Sequence, residues 1–446
     1  MILEIPESLR KLNSMSACPI YAVGGFVRNK IAGLGDTDID IAGPAAPEAL
    51  GISRRYQTKI VNYKLGTAII RYGDDKFEYT PFRVERYADG GAHSPIEVRF
   101  TTDIRQDAMR RDFTCNSVYY DVTNDKIVDP LGGIADIEKK IIRSYNPQRT
   151  FASDGLRILR MIRLAVELGF KIDGETAKAA QANADKLRDI SAERRRDELN
   201  KILLADTRYG VEFAHYRGLR LIQQLGLWKY LIPQLEDAAG LMQNPKYHKF
   251  DVLEHINRTV RYSPPDIRLA ALMHDVGKPY CMAKFGNMHG HESVSAHIVR
   301  YTLGEYGLKY PNDVIDEVEW LCQNHMYDMA RNTRESKMRI FVAQNFDRID
   351  KLAELMAADD KARGMDEPPR EIRIARVKQE LIDENAPLTL SELKLDGSVL
   401  IREGIQPVKI GGVLDELWRA CVVEPRLNNE EWLLKQVKKY AETEED

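Results

Sequence analysis

At 446 residues the chain is long enough for two or more domains, each with its own core. Its 43% hydrophobic and 30% charged residues fit a soluble globular protein, and no apolar run approaches the roughly 18 residues that a membrane span needs. A formal net charge of −3 gives no general attraction for nucleic acid, so any such binding must come from local patches.

In chain order, Pro19 to Val23 predicts a strand that enters a Gly24-Gly25 turn. Phe26 to Ala32 reads as a short helix and Asp38 to Ala42 as a second strand. A strand alternates with a period of two, so Asp38 and Asp40 point the same way. Paired carboxylates repel each other unless a cation lies between them, and a divalent metal is the usual one. Glycines beside such a pair let backbone N–H groups approach a phosphate chain. The combination suggests phosphoryl or nucleotidyl transfer; an acidic strand end after an ordinary turn is the plainer reading. Thr67–Tyr72 and Lys76–Thr80 read as hairpin arms around Gly73-Asp74-Asp75, with Glu78 in mid-strand. Arg83 to Pro95, with Asp89-Gly90-Gly91 inside it, reads as a mobile loop.

From Phe151 the period changes. Leu156, Leu159, Ile162 and Val166 recur at helical spacing, and the remainder reads as helix after helix. Pro264-Pro265 and Pro368-Pro369 mark turns or linkers. The stretch from Arg157 to Arg220 is dense in base and is either a solvated face or a track for phosphates. Five scattered cysteines with no CxxC pair suggest reduced thiols, hence a cytoplasmic protein, and the N-terminus has no signal-peptide pattern. The expected architecture is a small α/β head followed by a long helical body.

Three further stretches join the glycine–aspartate feature: Arg110-Arg111-Asp112-Phe113-Thr114-Cys115-Asn116, Asp154-Gly155-Leu156-Arg157-Ile158-Leu159-Arg160, and Glu193-Arg194-Arg195-Arg196-Asp197-Glu198-Leu199. In this order and spacing they resemble the class II tRNA nucleotidyltransferases, the CCA-adding enzymes and bacterial poly(A) polymerases. The resemblance covers roughly residues 18–225, and Leu388 to about Leu434 is more loosely similar to the tail of bacterial CCA-adding enzymes. It implies an α/β nucleotidyltransferase head (a small mixed sheet with helices) followed by an all-α body. The implied division is 1–147 for the head, 148–225 for a nucleotide-selecting neck, 226–370 for an HD domain, and 371–446 for a tRNA-binding tail.

The implied activity is addition of CCA to the 3′ end of tRNA from CTP and ATP. Asp38 and Asp40 would hold two Mg²⁺ ions, with Glu78 the candidate third carboxylate. Gly24, Gly25 and Arg28 would cradle the triphosphate. Asp112 would accept from the ribose, and Arg111 and Asn116 would line the site. Asp154 and Arg157, three apart, would present a base-pairing edge from one helix face, with Arg160 in support. The tRNA acceptor arm is the implied partner. Two positions depart from the family pattern: Asn29 stands where Asp is usual, and Ser153 where Glu is usual. The loop with Asp89 and Gly90 resembles the one needed for the final A, which argues against an enzyme that stops at CC. Rival readings are an A-adding enzyme or poly(A) polymerase, and a phosphohydrolase with an RNA-binding head.

His274-Asp275, with His255 upstream and His289, His291 and His325 downstream, resembles the HD metal-dependent phosphohydrolases. Imidazoles and carboxylates suit Mn, Ni or Fe, whereas Mg²⁺ prefers oxygens. His255, His274 and Asp275 are the first candidate ligands, His291 and His325 the next, and Asp328 a weaker one. His289 reads as a loop residue and His297 as a packed helix residue. The competing reading is a degenerate HD scaffold. Trp228, Trp320, Trp418, Trp432 and Cys115 read as packing residues, and Glu193, Arg196 and Glu198 as an ionic lattice.

Overall fold

The computed structural model describes residues 2–35, 37–52, 57–72, 74–87, 95–365 and 369–442. Asp89, Gly90 and Pro368 therefore lie outside the described residues, as does the tip of the 83–95 segment. The chain divides into two compact units. One is Met1–Asp237 with Tyr301–Pro311; the other is Ala238–Arg300 with Asn312–Asp446.

The first unit opens on a mixed sheet. Its strands are β1 (Tyr21–Val23), β2 (Ile39–Gly43), β3 (Gln57–Asn62), β4 (Thr67–Tyr72), β5 (Asp75–Pro81), β8 (Tyr119–Asp121) and β9 (Lys126–Val128), with β6 (Arg83–Arg86) and β7 (Glu97–Phe100) forming a separate pair. The order is β3-β4-β5-β2-β1-β8-β9, and β2 runs parallel to β5 while the other neighbours are antiparallel. Alternation decides the faces: in β5 Phe77 and Tyr79 are buried, and Glu78 between them is exposed. Val23, Ala42, Phe82, Ala108 and Tyr119 form one of the head's core clusters.

Several boundaries differ from those the sequence suggests. β1 begins at Tyr21, and Asp38 lies just ahead of β2. Arg83 to Pro95 is not simply a loop, because Arg83–Arg86 pairs in register with Glu97–Phe100. A cross-strand Arg86–Glu97 ion pair at 2.9 Å accompanies that pairing. The body is not purely helical either, since Ile141–Ile142 and Lys171–Ile172 form a short parallel pair.

Helix Leu156–Leu168 carries the predicted apolar face, buries Leu156, Leu159, Ile162 and Val166, and ends at Gly169 in the left-handed region. The regular elements of the second unit are all helices among its described residues. Helices Val252–Tyr262, Arg268–Met273, Asn312–Asn324 and Ile349–Ala362 pack around its histidine-rich centre. No helix among the described residues is long and apolar enough to cross a membrane. Trp228 and Trp418 are buried, and Trp320 stacks between Phe341 and the Arg348 guanidinium.

Candidate active site and metal centre

The parallel register of β2 and β5 sets Asp40 level with Glu78. In-register residues on neighbouring strands share a face, about 4.8 Å apart. Burial lifts the Asp40 carboxyl to about 6, and repulsion from Glu78 and Asp38 adds to that against the opposing pull of Arg111. Three carboxylates thus crowd one sheet position, and a cation there would relieve the repulsion. Gly24 sits at φ +77°, and a Cβ on it would stand 3.0 Å from Oδ2 of Asp40. The turn can pass over the carboxylate only because this residue has no side chain.

Beyond that turn, helix Gly25–Ala32 buries Arg28 and Asn29. Arg28 Nη1 donates to Oδ1 of Asn116 at 2.6 Å, and its Nε and Nη2 donate to Oδ1 of Asn29 at 3.1 and 2.8 Å. Asn29 donates in turn to the Gly35 carbonyl and to the Tyr209 hydroxyl. Being neutral, Asn29 leaves the Arg28 charge uncompensated where Asp would cancel it. Asn116 Nδ2 donates to Oδ1 of Asp112 at 3.1 Å, and Arg160 grips Oδ2 of Asp112 at 3.0 and 2.6 Å. Burial would raise the Asp112 carboxyl, but Arg160 outweighs it and holds the group below the usual carboxylate range.

Arg111, Asp112, Asp154, Arg157 and Arg160 line one cavity of about 250 Å³, together with Arg110 and Arg194. Asp154 and Arg157 do not share a helix face, however. Asp154 caps the end of helix Pro147–Ser153 in extended conformation, and helix Leu156–Leu168 starts only after Gly155. The Asp154 Oδ1 accepts from the Leu156 amide at 3.0 Å, and Arg157 Nε lies 4.0 Å from Oδ2. The break is the extended backbone of Asp154 itself; Gly155 is helical, and its missing side chain lets the Lys186 backbone pack against it, where a Cβ would stand at 2.5 Å. The Arg157 fork donates instead to the Arg110 carbonyl at 3.1 Å. Arg110 and Arg194 received no role from the sequence, although both stand inside the quoted motifs. Glu193 pairs with Lys309, and Glu198 with Arg163 and Lys201.

In the second unit His255, His274, Asp275, His291 and His325 are all buried and converge. Asp275 lies 3.2 Å from His255, 3.3 Å from His274, 3.0 Å from His291 and 3.7 Å from His325. The Nδ1 atoms of His274, His291 and His325 each lie 2.7–2.9 Å from a backbone carbonyl. A carbonyl only accepts, so each Nδ1 carries a hydrogen and Nε2 is the ring atom turned inward toward the cluster. Those nitrogens face one another at 3.4 Å (His274 and His255) and 3.3 Å (His291 and His325). Facing lone pairs need a proton or a metal between them.

Burial pushes His325 down to about 4, which favours the neutral, ligating form. Burial would raise Asp275, but His274, Lys278 and His291 outweigh it and hold the carboxylate ionised. Two sets of ligand atoms could each hold a metal: His255, His274 and Asp359, and His274, Asp275 and His325.

Asp359 escaped the sequence reading. It stands 3.1 Å from His255, fixed by Arg363 and Arg370 at 3.2 and 2.6 Å. Its only local signal is a pair of adjacent aspartates in an ordinary helix. His248, whose ring lies 4.9 Å from that of His255, was also passed over. Asp328 is not in the cluster but pairs with Arg373. His289 lies exposed in a loop, and His297 is exposed and bonded to its own helix. A cavity of about 550 Å³ opens onto Asp275, His291, His325 and Asp359, walled by Met242, Met282, Met326 and Met329 and flanked by Lys278.

Residues 20–143 match the poly(A) polymerase head domain, 169–239 the probable RNA and SrmB-binding site of polymerase A, and 250–374 the HD domain. The chain is similar to the CCA-adding enzyme of Bacillus pumilus, 39% identical over 41% of this chain and 45% of that protein. It is also similar to the CC-adding tRNA nucleotidyltransferase of Thermus thermophilus, 29% identical over 90% of this chain and 89% of that one. The alignments to the Bacillus pumilus and Geobacillus enzymes span about half of those relatives, 45% and 55% of their lengths. Among solved structures it resembles the Bacillus stearothermophilus CCA-adding enzyme in complex with CTP, with TM-score 0.69, 25% identity and 98% of each chain covered. With the head, the RNA-binding neck and the HD segment each matched in order, the chain belongs to the class II tRNA nucleotidyltransferase family of CCA-adding enzymes and bacterial poly(A) polymerases.

Proposed function

We propose that this protein adds C, C and A in turn to the 3′ end of tRNA, taking CTP and ATP as donors. The observation that carries the reading is the crowding of Asp38, Asp40 and Glu78 beside the Gly24 turn, in the same unit as a cavity lined by Asp112, Asp154 and five arginines. The family uses divalent metal, and an all-oxygen ligand set suits Mg²⁺. Bound by Asp38 and Asp40, Mg²⁺ would activate the RNA 3′-hydroxyl and offset charge on the departing pyrophosphate. In this reading Arg28 holds the triphosphate, Asp112 with Arg111 and Asn116 faces the sugar, and Asp154 and Arg157 read the base edge while Arg160 braces Asp112. The hydroxyl attacks the α-phosphorus, one P–O bond forms, and the bond to pyrophosphate breaks.

The proposed division is head 1–147, neck 148–225, HD domain 226–370 and tail 371–446, with the tRNA acceptor arm held by the basic neck and the tail. The free cysteines support a reducing, cytoplasmic setting. At the HD centre the inward Nε2 atoms and carboxylates fit Mn, Ni or Fe better than Mg²⁺. Such a metal would supply a hydroxide for phosphate-ester hydrolysis.

A tRNA ending at the discriminator base, offered one nucleotide at a time, tests the reading. Incorporation from CTP that halts until ATP is supplied is the expected result, and tailing from ATP alone defeats it. The near full-length likeness to a CC-adding enzyme gives a second outcome its meaning: addition that stays at CC with both nucleotides present would reassign this chain to that half-reaction.

A further inference from the structure

The first unit contains a cavity of about 260 Å³ that the polymerase reading does not use. Arg188, Arg195 and Lys229 line it beside Tyr230, Tyr301 and Tyr306, and no carboxylate does. Among the described residues Arg188 and Lys229 form no ion pair, and their charged ends lie 5.2 and 5.1 Å from the centre of the Tyr230 ring. Arg195 donates one nitrogen to the Tyr230 carbonyl, while its buried Nε has no hydrogen-bond partner. Tyr301 and Tyr306 stack at 5.8 Å with 16° between planes, yet stay 62% and 81% exposed.

The segment bearing these tyrosines is pinned in place. Tyr310 donates to Asn200 at 2.5 Å, Lys309 pairs with Glu193 at 3.1 Å, and Arg196 donates to the Lys309 carbonyl.

Uncompensated cations call for an anion, and a rigid, exposed aromatic pair offers flat π-faces with no apolar partner. Phosphate and unpaired base supply those two features at the right scale. A-form duplex RNA would reach the cations but keeps its bases stacked inside, so it would leave the tyrosines unused. We propose that this cavity holds one unpaired nucleotide of a single-stranded RNA segment. Its phosphate lies on Arg188, Arg195 and Lys229, and its base lies on the Tyr301–Tyr306 pair. The matched RNA-binding segment ends at residue 239, so the tyrosine pair extends recognition beyond it. The inference rests on charge and shape here and is independent of the polymerase reading.

The test uses the full chain in EDTA, where nucleotidyl transfer is silent, with a fluorescent oligouridylate and a hairpin duplex as probes. Tyr301→Ala with Tyr306→Ala should weaken oligouridylate binding roughly tenfold and spare the duplex. Arg188→Glu with Lys229→Glu should weaken it further and flatten the slope of log Kd against log salt by roughly one unit or more. Tyr306→Phe keeps the ring and should bind like the parent. These side chains are exposed or at the cavity rim, so melting temperatures should not move, and CTP binding should be unchanged. Unaltered oligouridylate affinity in both double variants would overturn the proposal. So would a loss confined to the duplex or to CTP, or a Phe variant as weak as Ala.

Discussion

The two metal-type sites of this chain are built on opposite plans. In the head, Asp38 and Glu78 are exposed and Asp40 is half-buried at the edge of a strand pair, with only oxygens on offer. In the second unit every candidate ligand is buried, nitrogen dominates, and backbone carbonyls fix three ring tautomers in advance. An open oxygen set binds a hard cation weakly and leaves room for ligands that arrive with a substrate. A closed imidazole–carboxylate set is preorganised, and its protein shell sets the metal's identity. On the proposed function, the same chain would thus separate a site completed by its substrate from one preorganised by folding.

That contrast predicts separable losses. Asp40→Ala should cut nucleotide incorporation by roughly a thousandfold or more, because several kcal/mol of charge stabilisation go with the metal. It should leave the metal content of the purified protein unchanged by elemental analysis. His274→Ala should do the reverse, removing tightly bound metal and any phosphatase activity while CTP incorporation continues. If either variant abolished both properties, the two sites would not be independent.

A smaller effect is expected at Arg157, the proposed reader of the base edge. Arg157→Ala should relax discrimination among CTP, ATP, GTP and UTP by between roughly tenfold and a hundredfold in kcat/KM. A variant that slows all four nucleotides equally would place Arg157 outside selection.

The smallest expected effect is structural and belongs to the head alone. Burial would raise Asp107, but Arg111 and Arg110 outweigh it and pull the carboxyl down to about 2. A group depressed in the folded state stabilises it above its unfolded pKa, near 4, and that contribution fades between about pH 4 and pH 2. Asp107→Asn should therefore cost on the order of 2 kcal/mol near pH 7 and less as pH falls toward 3, read as the difference in melting temperature from the parent. A constant difference across that range would refute the assignment.

How far the sequence reached follows from how local each signal is. Asp38, Asp40 and Glu78 were legible because strand alternation and a double glycine are short-range patterns. The histidines stood out because few other segments contain any. Asp154 and Arg157 do line one cavity, but not from one helix face, since the backbone turns extended at Asp154, a change that the helical spacing around it does not signal. Asp359 was invisible for a related reason: an aspartate in a helix is unremarkable until folding carries it to His255. The β6–β7 hairpin was hidden by the Asp-Gly-Gly run between its arms, which outweighed the weaker strand pattern of the arms themselves.

Gly24 has a lesson for anyone who would re-engineer the head. Its missing side chain and the Asp40 carboxylate occupy one shared volume, so the pair must change together or not at all. Even the smallest replacement, alanine, would press on the Asp40 Oδ2 and adopt a backbone angle that L-residues resist. Libraries aimed at new nucleotide donors should therefore leave this turn untouched and vary the arginine-lined wall instead.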